Sequence, residues 1–322
     1  MHFRNLSIYL TIFIIFFFTC RAGAAQEPQG PGRSEMTAGQ AVVLGIVEGV
    51  TEYLPVSSTG HLLLAQRVMG IGEGGSLTQD ERQKEKEAAD AYAICIQAGA
   101  IIAVLGIYFR RVRQMFAGLF GRDPVGLRLL IGMAAGFLPA AVIGLAFNKH
   151  IKEYLFGPWP VVAAWLVGGI AILAVSFRTR TDREQSSIAG IALDNLTLKM
   201  ALIIGVAQCI AMWPGVSRSL ITIVGGLLVG LSMPAAVEFS FLLGVVTLGA
   251  ATAYDALKHG EVMLQTFPPS SLVIGLVFAF ISAVVSVKWM VAYLNNHSLA
   301  IFGYYRVGVA VLTAALLATG MI

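Results

Sequence analysis

Glu48 and Glu52 sit four residues apart in an otherwise apolar stretch that runs straight into Pro55-Val56-Ser57-Ser58-Thr59-Gly60-His61. A helix carries residues i and i+4 on one face, so both carboxylates point the same way. Side by side they repel unless they share a proton or a cation. A hard divalent cation, Mg2+ or Ca2+, suits such oxygen ligands, and Mg2+ typically combines one or two carboxylates with phosphate oxygens. Pro55 ends the helix, and Ser57, Ser58 and Thr59 are good N-cap residues for the next one. The free N–H groups of that second helix suit a phosphate. Ser58 adds a hydroxyl and His61, three residues on, an imidazole facing the same pocket. The plainer alternatives are a water-exposed pair of acids, capping hydroxyls and a surface imidazole; for Thr59 capping alone suffices.

A second break reads Trp213-Pro214-Gly215-Val216-Ser217-Arg218-Ser219. Pro and Gly again interrupt a helix, and Ser217 and Ser219 flank an arginine. A guanidinium is costly in lipid but grips phosphate oxygens with two donors. Snorkelling to a headgroup is the alternative for Arg218, although a lone snorkelling residue needs neither Pro-Gly before it nor serines on both sides. Gln208 is a candidate polar liner of the same pocket. Glu238, just after Pro234, is either a third site carboxylate or a partner for Arg218.

The elements that must position these groups are membrane helices. Of 322 residues, 57% are hydrophobic and 12% charged, about half the charged share of a soluble domain, and the mean hydropathy is +0.78. Long apolar segments recur throughout, as in an all-α, polytopic integral membrane protein. The net charge of +4 is modest and no basic stripe suggests nucleic acid. Cys20, Cys95 and Cys209 lack metal spacing, and the last two read as packing residues. Residues 1–25 have the layout of a signal peptide, with a retained anchor as the alternative, and 26–37 form a polar linker. Beyond these, a broken segment at 38–70 precedes spans near 91–109, 129–147 and 159–177. A second, at 200–230, precedes spans near 236–256, 272–291 and 300–321. The stretch 71–90 reads as a solvated loop.

A shift of 160 residues places Gly45 on Gly205, Val56 on Val216 and Ser57 on Ser217, with Glu48 falling on Gln208 and Ser58 on Arg218. A shift of 143 superimposes Ile131-Gly132 on Ile274-Gly275. The expected architecture is therefore two repeats, 38–178 and 196–322, each a re-entrant helix-loop-helix plus three spans. Three crossings per half make the halves inverted, with the broken helices meeting near the midplane. Arginines in 110–128 and 178–199 place those loops inside and both mature termini outside.

The run Gly45-Ile46-Val47-Glu48-Gly49-Val50-Thr51-Glu52-Tyr53-Leu54-Pro55-Val56-Ser57-Ser58-Thr59-Gly60-His61, followed by Trp213–Ser219 and Glu238-Phe239-Ser240-Phe241, resembles the signatures of the bacterial undecaprenyl-pyrophosphate phosphatases, the bacitracin-resistance family. The likeness runs from about residue 38 to the C-terminus; the N-terminal extension departs from the usual shorter chains. The resemblance implies a bacterial inner-membrane enzyme that removes the terminal phosphate of undecaprenyl diphosphate on the outer face, so that the lipid carrier of cell-wall precursors is recycled. It implies dependence on a divalent cation, and a catalytic set of Glu48, Glu52, Ser58, His61 and Arg218 supported by Ser57, Ser217 and Ser219. Three nucleophiles stay open: Ser58, His61 and water. The expected partners are a polyprenyl diphosphate lipid and the bilayer; a homodimer is a further expectation. A lipid flippase or transporter is the rival function, since inverted repeats with broken helices serve transport equally well.

Overall fold

The computed structural model describes residues 36–71, 78–181 and 190–321. The signal-like segment 1–25, almost all of the linker 26–37, and Arg183 lie outside the described residues.

Thr37 starts helix α1 (Ala38–Thr51) with a capping box. Its hydroxyl accepts from Gln40 N, and the Gln40 side chain accepts from Thr37 N. The chain then turns over 52–57 and re-enters a helix, α2 (Ser58–Val68). The same plan returns later: α7 (Leu198–Gln208), a 3-10 turn at Cys209–Met212, a break, then α8 (Arg218–Leu228). At about 1.5 Å per residue these helices of 11 to 14 residues reach about 16–21 Å, short of the roughly 30 Å hydrocarbon layer.

The remaining helices are α3 (Gln79–Ile107), α4 (Phe109–Leu119), α5 (Pro124–Leu155), α6 (Pro158–Thr181), α9 (Met233–Thr266), α10 (Pro269–Leu294) and α11 (Ala300–Ala318). All but α4 are long and apolar enough to cross a membrane. Among the described residues no strand forms beyond one isolated bridge, Ile191–Leu231. The chain is a polytopic, all-helical membrane protein.

Two expectations are corrected. The stretch 71–90 is helical from Gln79 onward: Thr78 and Glu81 form a second capping box, Asp80 and Glu81 favour the helix N-terminus, and Glu85, Ala88 and Ala89 are buried. The loop expected at 110–128 contains α4, whose exposed Phe109, Phe116 and Leu119 flank its arginines.

The short helices are clasped by long ones. α1 lies along α10 and α3, α7 along α5, α8 along α9, and α11 along α6. Glycine makes the first contact close. A Cβ on Gly45 would fall 2.5 Å from Gly275 O, and one on Gly49 2.2 Å from Ala279 O, both on α10. Ser286 Oγ then donates to Gly49 O at 2.9 Å. Likewise a Cβ on Gly205 would fall 2.4 Å from Gly136 O of α5.

Both breaks end on a strained serine. Ser57 (φ 72°, ψ 104°) and Ser217 (φ 77°, ψ 114°) are the non-glycine residues with positive φ among those described. Such backbone costs on the order of 1–3 kcal/mol and persists only where the surroundings enforce it.

Candidate active site

The first break delivers its acids from the end of α1 and its hydroxyl from the start of α2. Glu48, Glu52, Ser58 and His61 are all buried. Ser58 Oγ donates a hydrogen bond to Glu52 Oε2. The other oxygen, Glu52 Oε1, accepts from Arg218 Nη2 at 3.2 Å. One carboxylate therefore joins a hydroxyl of the first break to the guanidinium of the second. Arg218 also donates through Nη1 to Ser240 O at 3.1 Å and lies 5.1 Å above the Tyr53 ring, within reach of a cation–π contact. Gly244 makes room for it, since a Cβ there would come within 2.2 Å of Nη1.

Serines stitch the breaks together. Ser219 Oγ, fully buried, donates to Leu54 O at 2.9 Å and lies 3.0 Å from Ser217 Oγ, which in turn accepts from Leu220 N. Ser57 makes no side-chain cap, but its carbonyl accepts from His61 Nδ1 at 2.7 Å. With that carbonyl as acceptor, Nδ1 carries the proton. His61 Nε2 meets Tyr305 OH at 2.8 Å. The imidazole is thus engaged at both nitrogens, with the Tyr305 and Trp165 rings packed against it. Trp165 Nε1 donates to Val56 O at 2.9 Å and anchors the first break to α6.

Glu48 stands one helical turn before Glu52 at 1% exposure, and its Oε1 has no hydrogen-bond partner. Tyr53 OH and Arg218 Nε are likewise buried without one. Three residues of one centre thus have more hydrogen-bonding capacity than the protein fills, as befits a place for a ligand or water. Gln208 is buried with neither side-chain polar atom paired. Thr59 is half-buried as the second residue of α2; the N-cap is Ser57, whose side chain makes no capping hydrogen bond, so the capping role expected of Thr59 is not the one it occupies. Glu238 does not serve Arg218: it accepts from Arg111 Nε at 2.8 Å, while Arg111 Nη1 holds Asp194 at 2.8 Å. Donating to Glu238 raises the Arg111 guanidinium above its ordinary range, and the pair ties α4 to α9.

The donor set accommodates a hard cation only in part. Among the described residues no group of three or more His, Cys, Asp or Glu side chains forms a metal cage. The unpaired Oε1 of Glu48 would offer one oxygen to such a cation, and the rest would have to come from water and substrate oxygens, the habit of Mg2+.

Sequence reading missed Tyr305 and Trp165. Both sit in stretches that read as ordinary spans, and aromatic residues there are commonplace.

These features define a class: a multi-pass membrane protein in which two broken helices bury a carboxylate–hydroxyl–guanidinium centre. The chain belongs to the bacitracin resistance protein BacA family, whose model matches residues 41–312. It is 45% identical to an undecaprenyl-diphosphatase of Sorangium cellulosum over 275 residues, 84% of each chain. It is 42% identical to one of Bradyrhizobium diazoefficiens over 281 residues, 87% of this chain and 98% of the relative. To undecaprenyl-diphosphatase 2 of Rhodospirillum rubrum the identity is 41%, over 88% of this chain and 96% of the relative.

Proposed function

We propose that the protein hydrolyses undecaprenyl diphosphate to undecaprenyl phosphate and inorganic phosphate, recycling the carrier lipid of cell-wall synthesis and conferring bacitracin resistance. The observation that carries this reading is the double use of Glu52, on Ser58 and on Arg218. A hydroxyl on a carboxylate, beside a guanidinium, is equipped for phosphoryl transfer. The names of the relatives agree. A transporter needs binding groups but no activated hydroxyl, and that alternative is not favoured.

In the proposed mechanism Glu52 Oε2 takes the Ser58 proton as Oγ attacks the terminal phosphorus. The bond from that phosphorus to the bridging oxygen breaks, and undecaprenyl phosphate leaves. Glu52 gives that proton up to the departing undecaprenyl phosphate. Water then attacks the phosphoserine, Glu52 takes one proton from it and returns it to Ser58 Oγ as the Oγ–P bond breaks, and inorganic phosphate departs. Arg218 stabilises charge on the transferred group. His61, tied to Ser57 O and Tyr305, holds the turn that presents Ser58. Ser217 and Ser219 keep the second break in register with the first. Glu48 would hold a divalent cation, which when bound neutralises the diphosphate charge.

The site would face the outer side of the bacterial inner membrane. The packing supports an inverted-repeat arrangement: α1 lies on α10, and α7 on α5, so each short helix rests on a long helix of the other proposed half. The decisive assay is phosphate release from undecaprenyl diphosphate by the purified protein in detergent, with and without EDTA. No release with either Mg2+ or Ca2+ restored would sink the proposal.

A further inference from the structure

Helix α11 carries a charge that the proposed reaction leaves unused. Arg306 is fully buried at mid-helix. Its guanidinium reaches five backbone carbonyls. Nε donates to Trp165 O at 3.4 Å. Nη1 donates to Pro55 O at 3.3 Å and Val216 O at 3.1 Å, and Nη2 to Ala164 O at 2.9 Å and Gly215 O at 2.8 Å. Two of these carbonyls belong to α6, one to the first break and two to the second. Gly168 leaves the space, for a Cβ there would lie 2.3 Å from Nη2.

A cation inside a membrane protein is costly and marks a function by default. Carbonyls freed where helices break at depth must also be satisfied by the protein. Arg306 answers both demands, since its rigid fork meets acceptors that come from three separate segments. Pro55 lies three residues from both Glu52 and Ser58, and Val216 two residues before Arg218.

We propose that Arg306 is a positioning residue that ties both helix breaks to each other and to α6, and so fixes the distance between the Ser58–Glu52 pair and Arg218. The inference rests on the phosphatase reading for its kinetic consequence but not for its structural one. Lysine offers one nitrogen and three donors, too few to serve five acceptors in three segments.

The test uses the full-length protein in detergent, as wild type, Arg306→Lys and Arg306→Ala. Phosphate release from undecaprenyl diphosphate and amide hydrogen exchange are measured together. Arg306→Lys is expected to lower kcat about a hundredfold, the scale of a 1 Å misplacement, with a much smaller change in KM. Exchange should rise in both 52–58 and 213–218. Low, non-denaturing guanidinium should restore part of the kcat and the protection of Arg306→Ala, and leave the wild type unchanged. A lysine variant with wild-type kcat would overturn the proposal. So would variants that melt earlier yet keep full kcat per folded molecule, or exchange that rises evenly along α6 and α11. If the wild type itself releases no phosphate, the phosphatase reading fails, and the exchange pattern alone decides on the clamp. If Arg306→Ala does not fold, Arg306→Lys decides.

Discussion

Glu52 has two oxygens and two obligations, Ser58 on one and Arg218 on the other. Replacing it with glutamine keeps the shape but removes the base, so Glu52→Gln is expected to lower kcat by about 10²–10⁴. Ser58→Ala should cost at least as much, and the double variant little more than the worse single one, because the two act as a unit. Phosphate release across the four proteins checks this; full additivity would separate the hydroxyl from the carboxylate. Gly244→Ala makes a complementary case. The new methyl would displace Arg218 Nη1, so activity should fall while thermal unfolding in detergent moves little. At this scale much of the site was legible: carboxylates, hydroxyls and an arginine beside prolines are costly in an apolar chain. The partner of Glu238 was not, because Arg111 is 127 positions away and only folding chooses between two arginines. Tyr305, 244 positions from His61, gave no signal at all. Arg306 did give one, a lone cation inside the span 300–321, and the reading of that segment as an ordinary span passed over it.

Among the elements, the short helices depend on close approach and on strained turns. Gly49→Ala would drive a methyl into Ala279 O and Ser282 Oγ, and overpacking of this kind costs about 1–3 kcal/mol. The midpoint of thermal unfolding should fall, and activity with it, as α1 is pushed off α10. An unchanged midpoint would mean that the helices separate freely. Ser57→Val should also destabilise, because a β-branched side chain tolerates positive φ worse than serine does. Both breaks were readable from Pro55 and Pro214-Gly215, since proline and glycine interrupt helices by known sterics. The start of α3 was hidden behind its charges. The capping box of Thr78 and Glu81 outweighs the polar run that follows, because Ala88 and Ala89 bury one face of the same helix.

For the molecule as a whole, orientation is the open proposal that labelling can decide. In intact spheroplasts a membrane-impermeant maleimide should modify Tyr154→Cys, at the C-terminal end of α5, and spare Arg122→Cys until the membrane is broken. Both positions are exposed; the reverse pattern would turn the site towards the cytoplasm. Six long apolar helices among the described residues, and their order, followed from hydropathy, because lipid permits few alternatives to helices. Which helix packs against which did not follow, since a hydropathy profile carries no information about partners. One consequence comes from the contact between Glu52 and Arg218. A polypeptide ending at 181 carries the proposed nucleophile and base but lacks Arg218; one starting at 190 carries Arg218 without the Ser58–Glu52 pair. Expressed alone, each should be inert, and co-expressed they should regain turnover, so that activity measures the reunion of two fragments.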